Sequence, residues 1–187
     1  MSAENVTVNT LIERLWFAPE NAEWKPKTDV LLLSDLKEWM ESDDIEVLGF
    51  TNAMIHDGRF RIDPPLGVDD YLAWVKRYYG HCFLENPDGE WSDSSYSAGW
   101  DLVGVFITLW DKKTVPRELL QSLKGWIGEL YKKGDDRLRI CLVKATLEHL
   151  FECKPIRKYF ADWQHDATLV VAYDQACLLD RKTPLSR

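Results

Sequence analysis

The chain has 187 residues, 45% hydrophobic and 29% charged, a balance that supports one folded domain with a substantial core and argues against extended disorder. Its formal net charge is -8, which disfavours broad binding to a nucleic-acid backbone and suits a basic protein partner. No apolar stretch is long enough to span a bilayer, and the start MSAENVTVNTLIERLW lacks the basic region and apolar run of an export signal, so a cytoplasmic protein is expected.

Read in chain order, the pattern is helical almost throughout. A first helix is expected over about 6–17, with Leu11, Ile12, Leu15 and Trp16 on one side and Pro19 beyond its end. A second is expected from Thr28 or Asp29 to Met40, with Leu32, Leu33, Leu36, Trp39 and Met40 at helical spacing. Asp43 or Asp44 caps a third, carrying Ile45, Val47, Leu48, Phe50, Met54 and Ile55. HDGRF then reads as a turn, a short extended piece fits near 59–62, and the two prolines of RIDPPLG forbid a continuing helix. These residues, 57–67, form a connector.

Tyr71, Trp74, Val75, Tyr78 and Cys82 recur with a helix period, and Pro87 and Gly89 close that helix. The next begins near Ser94 or Ser95 and runs to about Trp110. Trp100, Val103, Ile107 and Trp110 form one apolar stripe, and Leu102, Val105, Phe106 and Leu109 another, so burial on both sides is expected and Trp100 is assigned to the core. Pro116 and Gly134 bracket an amphipathic helix with Leu119, Leu123, Trp126, Ile127 and Leu130 inward. Asp135 caps a helix over 136–151, with Leu138, Leu142 and Ala145 on one apolar stripe and Ile140, Val143, Leu147 and Leu150 on the other. A short helix in KPIRKYF and a last one over about 167–179 precede a frayed tail. The expected fold is all-α: a single domain, 1–187, of antiparallel helices stacked as a bundle or short solenoid.

No motif dictates a chemistry. His149, Glu152 and Cys153 lie along one helix, but a zinc-protease pair needs two histidines there, and a histidine hydrogen bonded between helices explains the position. His81 and Cys82 are adjacent in a helix and do not face each other. The cysteines Cys82, Cys141, Cys153 and Cys177 form no CxxC pair and read as scattered thiols, not a disulfide framework. There is no nucleophile elbow, no GxGxxG and no P-loop. The expectation is no catalytic residue, no metal and no cofactor.

Two acidic clusters remain. ENPDGEWSDSSYSAGWD carries Glu85, Asp88, Glu90 and Asp93, with Trp91 and Tyr96 among them. It fails as a calcium loop, because Gly89 follows the first ligand candidate directly and no glutamate stands at the twelfth position. Acids beside Trp and Tyr are the composition of an interface anchor with a polar rim, and an ordinary solvated turn explains the stretch as well. Asp43, Asp44 and Glu46 form the second cluster, which helix capping also accounts for.

YYGHCFLENPDGEWSDSSYSAGWDLVGVFITLWD, followed by LEHLFE and KYFADW, resembles a group of small acidic bacterial proteins of the immunity type from interbacterial toxin systems. The likeness covers about residues 63–178, and its motifs look structural, with no catalytic set. The resemblance implies an immunity protein that binds a sibling toxin stoichiometrically and blocks it. The partner-binding candidates are then Glu85, Asp88, Glu90, Trp91, Asp93 and Tyr96, with Asp43, Asp44 and Glu46 second. A non-catalytic helical adaptor in a cytoplasmic complex is the alternative, and a small hydrolase using His149 or a carboxylate pair is the third.

Overall fold

Alternating burial along one strand shows how the first part of the chain folds. The computed structural model describes residues 29–56, 60–90, 92–112 and 115–180. The helix expected over 6–17 and the tail from 181 on lie outside them. Strand β1 (Asp29–Leu32) buries Leu31 and exposes Val30 and Leu32. It pairs in parallel with β2 (Phe60–Asp63), setting Val30 opposite Arg61 and Leu32 opposite Asp63. A parallel pair needs a long crossover. Helices α1 (Leu33–Met40) and α2 (Ile45–His56) supply it.

The helix expected from residue 28 or 29 therefore starts only at Leu33. A short apolar run such as Val30 to Leu33 fits a strand as well as a helix. The choice is made by β2, a partner some thirty positions away that local periodicity cannot reveal. The extended piece expected near 59–62 is observed as β2.

Asp44 starts α2 as expected. Its carboxylate accepts the Glu46 N–H at 2.9 Å and its carbonyl accepts the Leu48 N–H at 2.9 Å. Leu36 and Met40 of α1 are buried, as are Leu48, Phe50 and Met54 of α2, and Trp39 meets Phe50 edge-on at 6.5 Å. Buried Thr51 donates its hydroxyl to the Val47 carbonyl at 2.7 Å, so no polar group is stranded there.

Contacts gather the chain into two compact units, Met1–Leu66 and Gly67–Arg187. The division falls at the end of the 57–67 connector. The second unit is wholly helical among the described residues. Its helices are α3 (Val68–Leu84), α4 (Ser95–Asp111), α5 (Arg117–Lys133), α6 (Asp136–Cys141), α7 (Glu148–Glu152), α8 (Lys154–Tyr159) and α9 (Leu169–Asp180). A π-helical segment (Leu142–Leu147) joins α6 to α7, and a 3₁₀ turn (Ala161–His165) joins α8 to the last loop. The fold is thus all-α, built of stacked helices without a closed sheet. No helix among the described residues is long and apolar enough to cross a membrane.

The sequence signals for helix ends hold here. Ser94 caps α4 by accepting the Ser97 N–H at 3.2 Å, and Asp135 caps α6 by accepting the Leu138 N–H at 2.8 Å. Asp166 accepts the N–H groups of Thr168 and Leu169, which moves the start of α9 to Leu169 instead of 167.

Helix α4 lies against the π segment. A Cβ on Gly99 would come within 2.7 Å of the Ala145 Cβ, so only glycine permits this approach. Thr146 seals it by donating its hydroxyl to the Gly99 carbonyl at 3.1 Å. Ala145 beside Gly99 and His149 beside Trp100 show that the two run in the same direction, as alternate members of an up-and-down stack do.

Phe160 is the hub of the aromatic core. Its ring lies 4.9 Å from Trp163, 5.5 Å from Phe151 and 5.6 Å from Phe106. Lys124 of α5 is buried beside this cluster. Its ammonium donates to the Tyr159 carbonyl at 2.8 Å, pairs with Asp162, and sits 4.7 Å from the centre of the Tyr159 ring. The charge is therefore fully engaged, as a buried charge must be.

Two positions assigned to apolar stripes are not buried. Ile140 is half exposed, and so is Trp100, at 54%. In α4 the buried positions include Ala98, Gly99, Leu102, Val103, Val105, Phe106 and Leu109. They cover most of the circumference and leave one open arc containing Tyr96, Trp100, Gly104 and Thr108 at four-residue intervals. The stripe rule counted Trp100 as inward because it is apolar, but it falls on that arc.

Candidate docking surface

The loop between α3 and α4 is tied down by its own side chains. Asn86 donates to the Glu90 carbonyl at 2.8 Å and to the Ser92 hydroxyl at 2.6 Å, and its amide oxygen accepts the Glu90 N–H at 3.1 Å. Gly89 turns the chain with φ of 83°, a conformation that side-chain-bearing residues rarely adopt. A Cβ there would also meet Ser94 at 2.9 Å. The far end is clamped by Tyr78, whose hydroxyl donates to the Asp93 carboxylate at 2.6 Å and accepts the Asp93 N–H at 3.3 Å. Ser95 adds a bond from its hydroxyl to the Pro87 carbonyl at 3.1 Å.

The expected partner-binding residues divide accordingly. Glu85, Asp88 and Glu90 point outward, Asp88 with 93% of its side chain exposed. Glu85 meets His81 Nδ1 at 2.5 Å, and Asp88 lies 3.4 Å from an Arg137 guanidinium nitrogen. At such exposure these pairs contribute little to stability. Asp93 is half-buried and spends its carboxylate on Tyr78. Tyr96 is 45% exposed in the first turn of α4. Trp91 lies outside the described residues. Of the second cluster, Asp44 is occupied in capping α2, Ser42 accepts the Asp44 N–H at 3.1 Å, and Asp43 and Glu46 are exposed. That cluster belongs to the other unit.

Trp100 was missed as a surface residue. Its indole stacks on the His149 imidazole with ring centres 3.9 Å apart and planes 29° from parallel. His149 Nδ1 is in turn 3.0 Å from Glu152 Oε1. The histidine is hydrogen bonded, as expected, but it flanks an exposed indole at the edge of the helices instead of filling a gap between them. The signal in the sequence was the four-residue interval from Tyr96 to Trp100, continued by Gly104 and Thr108, a stripe too polar and small to be a core face.

Behind the loop, burial pushes the Cys82 thiol up to about 12 and raises the Tyr78 phenol far above its ordinary value. Burial likewise raises the Cys141 thiol. These groups stay protonated at neutral pH, so Tyr78 remains a donor and neither thiol presents a thiolate. Among the described residues no group of three or more His, Cys, Asp or Glu side chains is placed to hold a metal ion. What the surface offers is recognition: fixed carboxylates and two exposed aromatics at the start of one helix. No protein-family model, curated protein or solved structure matches the chain.

Proposed function

We propose that this chain is an immunity-type protein that neutralises a basic toxin in the cytoplasm by direct, stoichiometric binding. The observation that carries the reading is the loop from Glu85 to Ser94, whose outward carboxylates are held in place by bonds internal to the chain. A loop ordered before binding loses little entropy when it binds. Outward carboxylates on a chain of net charge -8 steer a cationic partner toward it. The resemblance of residues 63–178 to immunity proteins supports the same conclusion and supplies the biological setting. The mechanism is occlusion: the loop pairs with basic substrate-binding residues of the toxin and covers them.

The test replaces Glu85, Asp88 and Glu90 together by Gln, Asn and Gln, leaving Asp93 to hold Tyr78. Association with the purified product of the adjoining gene is followed against salt. The wild-type rate should fall steeply with ionic strength, and the triple variant should associate at least tenfold more slowly at low salt with a flatter dependence. Unchanged rates in the triple variant would remove the loop from the interface. Cells that tolerate loss of this gene while expressing its neighbour would remove the neutralising role itself.

A further inference from the structure

We infer that Trp100 is the anchor of this docking surface and that it receives an arginine side chain of a basic protein partner. The inference rests on the neutralising reading and gives it a contact chemistry. Trp100 is an exposed indole that is not free to swing, since one face is stacked on His149 and His149 is held by Glu152. A large aromatic already fixed in one orientation is what interface hot spots are made of, because little is lost in ordering it. It lies six residues beyond the cap Ser94, about 9 Å along the helix axis from the acidic loop, with Tyr96 one turn before it. A single partner spans both.

The surroundings select the occupant. Glu152 is exposed beside the stack, Asp101 is exposed next to Trp100 in the chain, and Glu85, Asp88 and Glu90 precede the helix. An aromatic face bordered by carboxylates is complementary to a cation with a flat surface. Guanidinium fits both halves: it stacks on an indole and pairs with carboxylate through its planar donors. A second copy of this chain would bring net charge -8 against the same carboxylates, so self-association through this face is opposed by charge.

The probe is the purified product of the adjoining gene, titrated against wild type and Trp100→Ala, Trp100→Leu and Trp100→Phe. Thermal melting checks that each variant is folded, which half exposure of the side chain favours. Trp100→Ala should weaken the complex by about 30-fold or more, mostly through faster dissociation. Trp100→Phe should keep more affinity than Trp100→Leu, by about tenfold, because leucine preserves apolar area but not the π face. Equal affinity of the Leu and Phe variants overturns the arginine contact. Wild-type affinity of Trp100→Ala overturns the anchor, and the neutralising reading survives if the loop variant still associates slowly. A wild-type dimer in sedimentation that Trp100→Ala dissociates makes a second copy the occupant and overturns the assignment. Absence of any complex with the wild type overturns both.

Discussion

Replacing Tyr78 by Phe removes one oxygen and tests whether the acidic loop is held from behind. The ring itself is almost wholly buried, stacked 5.5 Å from Trp74 with planes 11° apart, and Phe preserves that packing. Two bonds disappear: a short one from the hydroxyl to the Asp93 carboxylate at 2.6 Å and a long one from the Asp93 N–H at 3.3 Å. A hydrogen bond to a charged acceptor contributes about 1.5–3 kcal/mol, and a long neutral one about 0.5 kcal/mol. Asp93 is half-buried, so water recovers part of the loss and the net cost is about 2 kcal/mol. Chemical denaturation should show that loss, and melting should fall by about 4–8 °C for a chain of this size. Hydrogen exchange localises it: backbone amides from Asn86 to Asp93 should exchange faster, while those at the centre of α5 change only as much as global stability does. Stability within about 0.5 kcal/mol of wild type, with loop exchange unchanged, would refute the argument that Tyr78 fixes this loop.

Other perturbations read different parts of the molecule. Gly99→Ala forces a Cβ to 2.7 Å from that of Ala145 and 3.1 Å from the Thr146 hydroxyl, so a destabilisation of about 1–3 kcal/mol is expected in urea titration. Lys124→Met leaves the Tyr159 carbonyl without its buried donor, whereas Asp162 is exposed enough to be hydrated; the expected cost is about 1–3 kcal/mol by the same assay. Asp166 is held at about 2, chiefly by its bond to Lys132 and then by the N–H groups of Leu169 and Thr168. Its native value lies below its ordinary one, so its contribution is complete above pH 4 and is lost as pH falls from about 4 to 2. Asp166→Asn should be less stable at neutral pH and should lose less stability than wild type across that interval, measured by denaturation at each pH.

Helix positions were legible wherever the cause was local. Ser94, Asp44 and Asp135 cap the helices their side chains predict, and Pro116 and Gly134 bracket α5, because a cap depends on a few neighbouring atoms. What could not be read depended on distant partners. The strand Asp29–Leu32 exists through pairing with Phe60–Asp63, and the exposure of Trp100 is fixed by which helices surround α4. The loop was recognisable by composition, but its division of labour was not. Asp93 and Glu90 look alike in sequence, and only the reach of Tyr78 from the preceding helix turns one inward. Lys124 gave no sign either: in an amphipathic helix it reads as a solvated cation, and the fold of α8 brings a carbonyl and a carboxylate over it.

The widened segment Leu142–Leu147 makes the chain sensitive to length at one place. A π turn holds about one residue more than the α turn it replaces. Deleting a single residue there would let the helix relax to ordinary pitch and rotate everything after it by about 100°. His149 would leave the indole, Glu152 would go with it, and buried Leu150 and Phe151 would turn out of the core. Substitutions on the surface of this segment, as at Lys144, are mild by comparison, because they leave the phase of the helix alone. The surface at Trp100 therefore depends on a residue count as much as on residue identity, and a one-residue gap in this segment would mark a chain that has lost it.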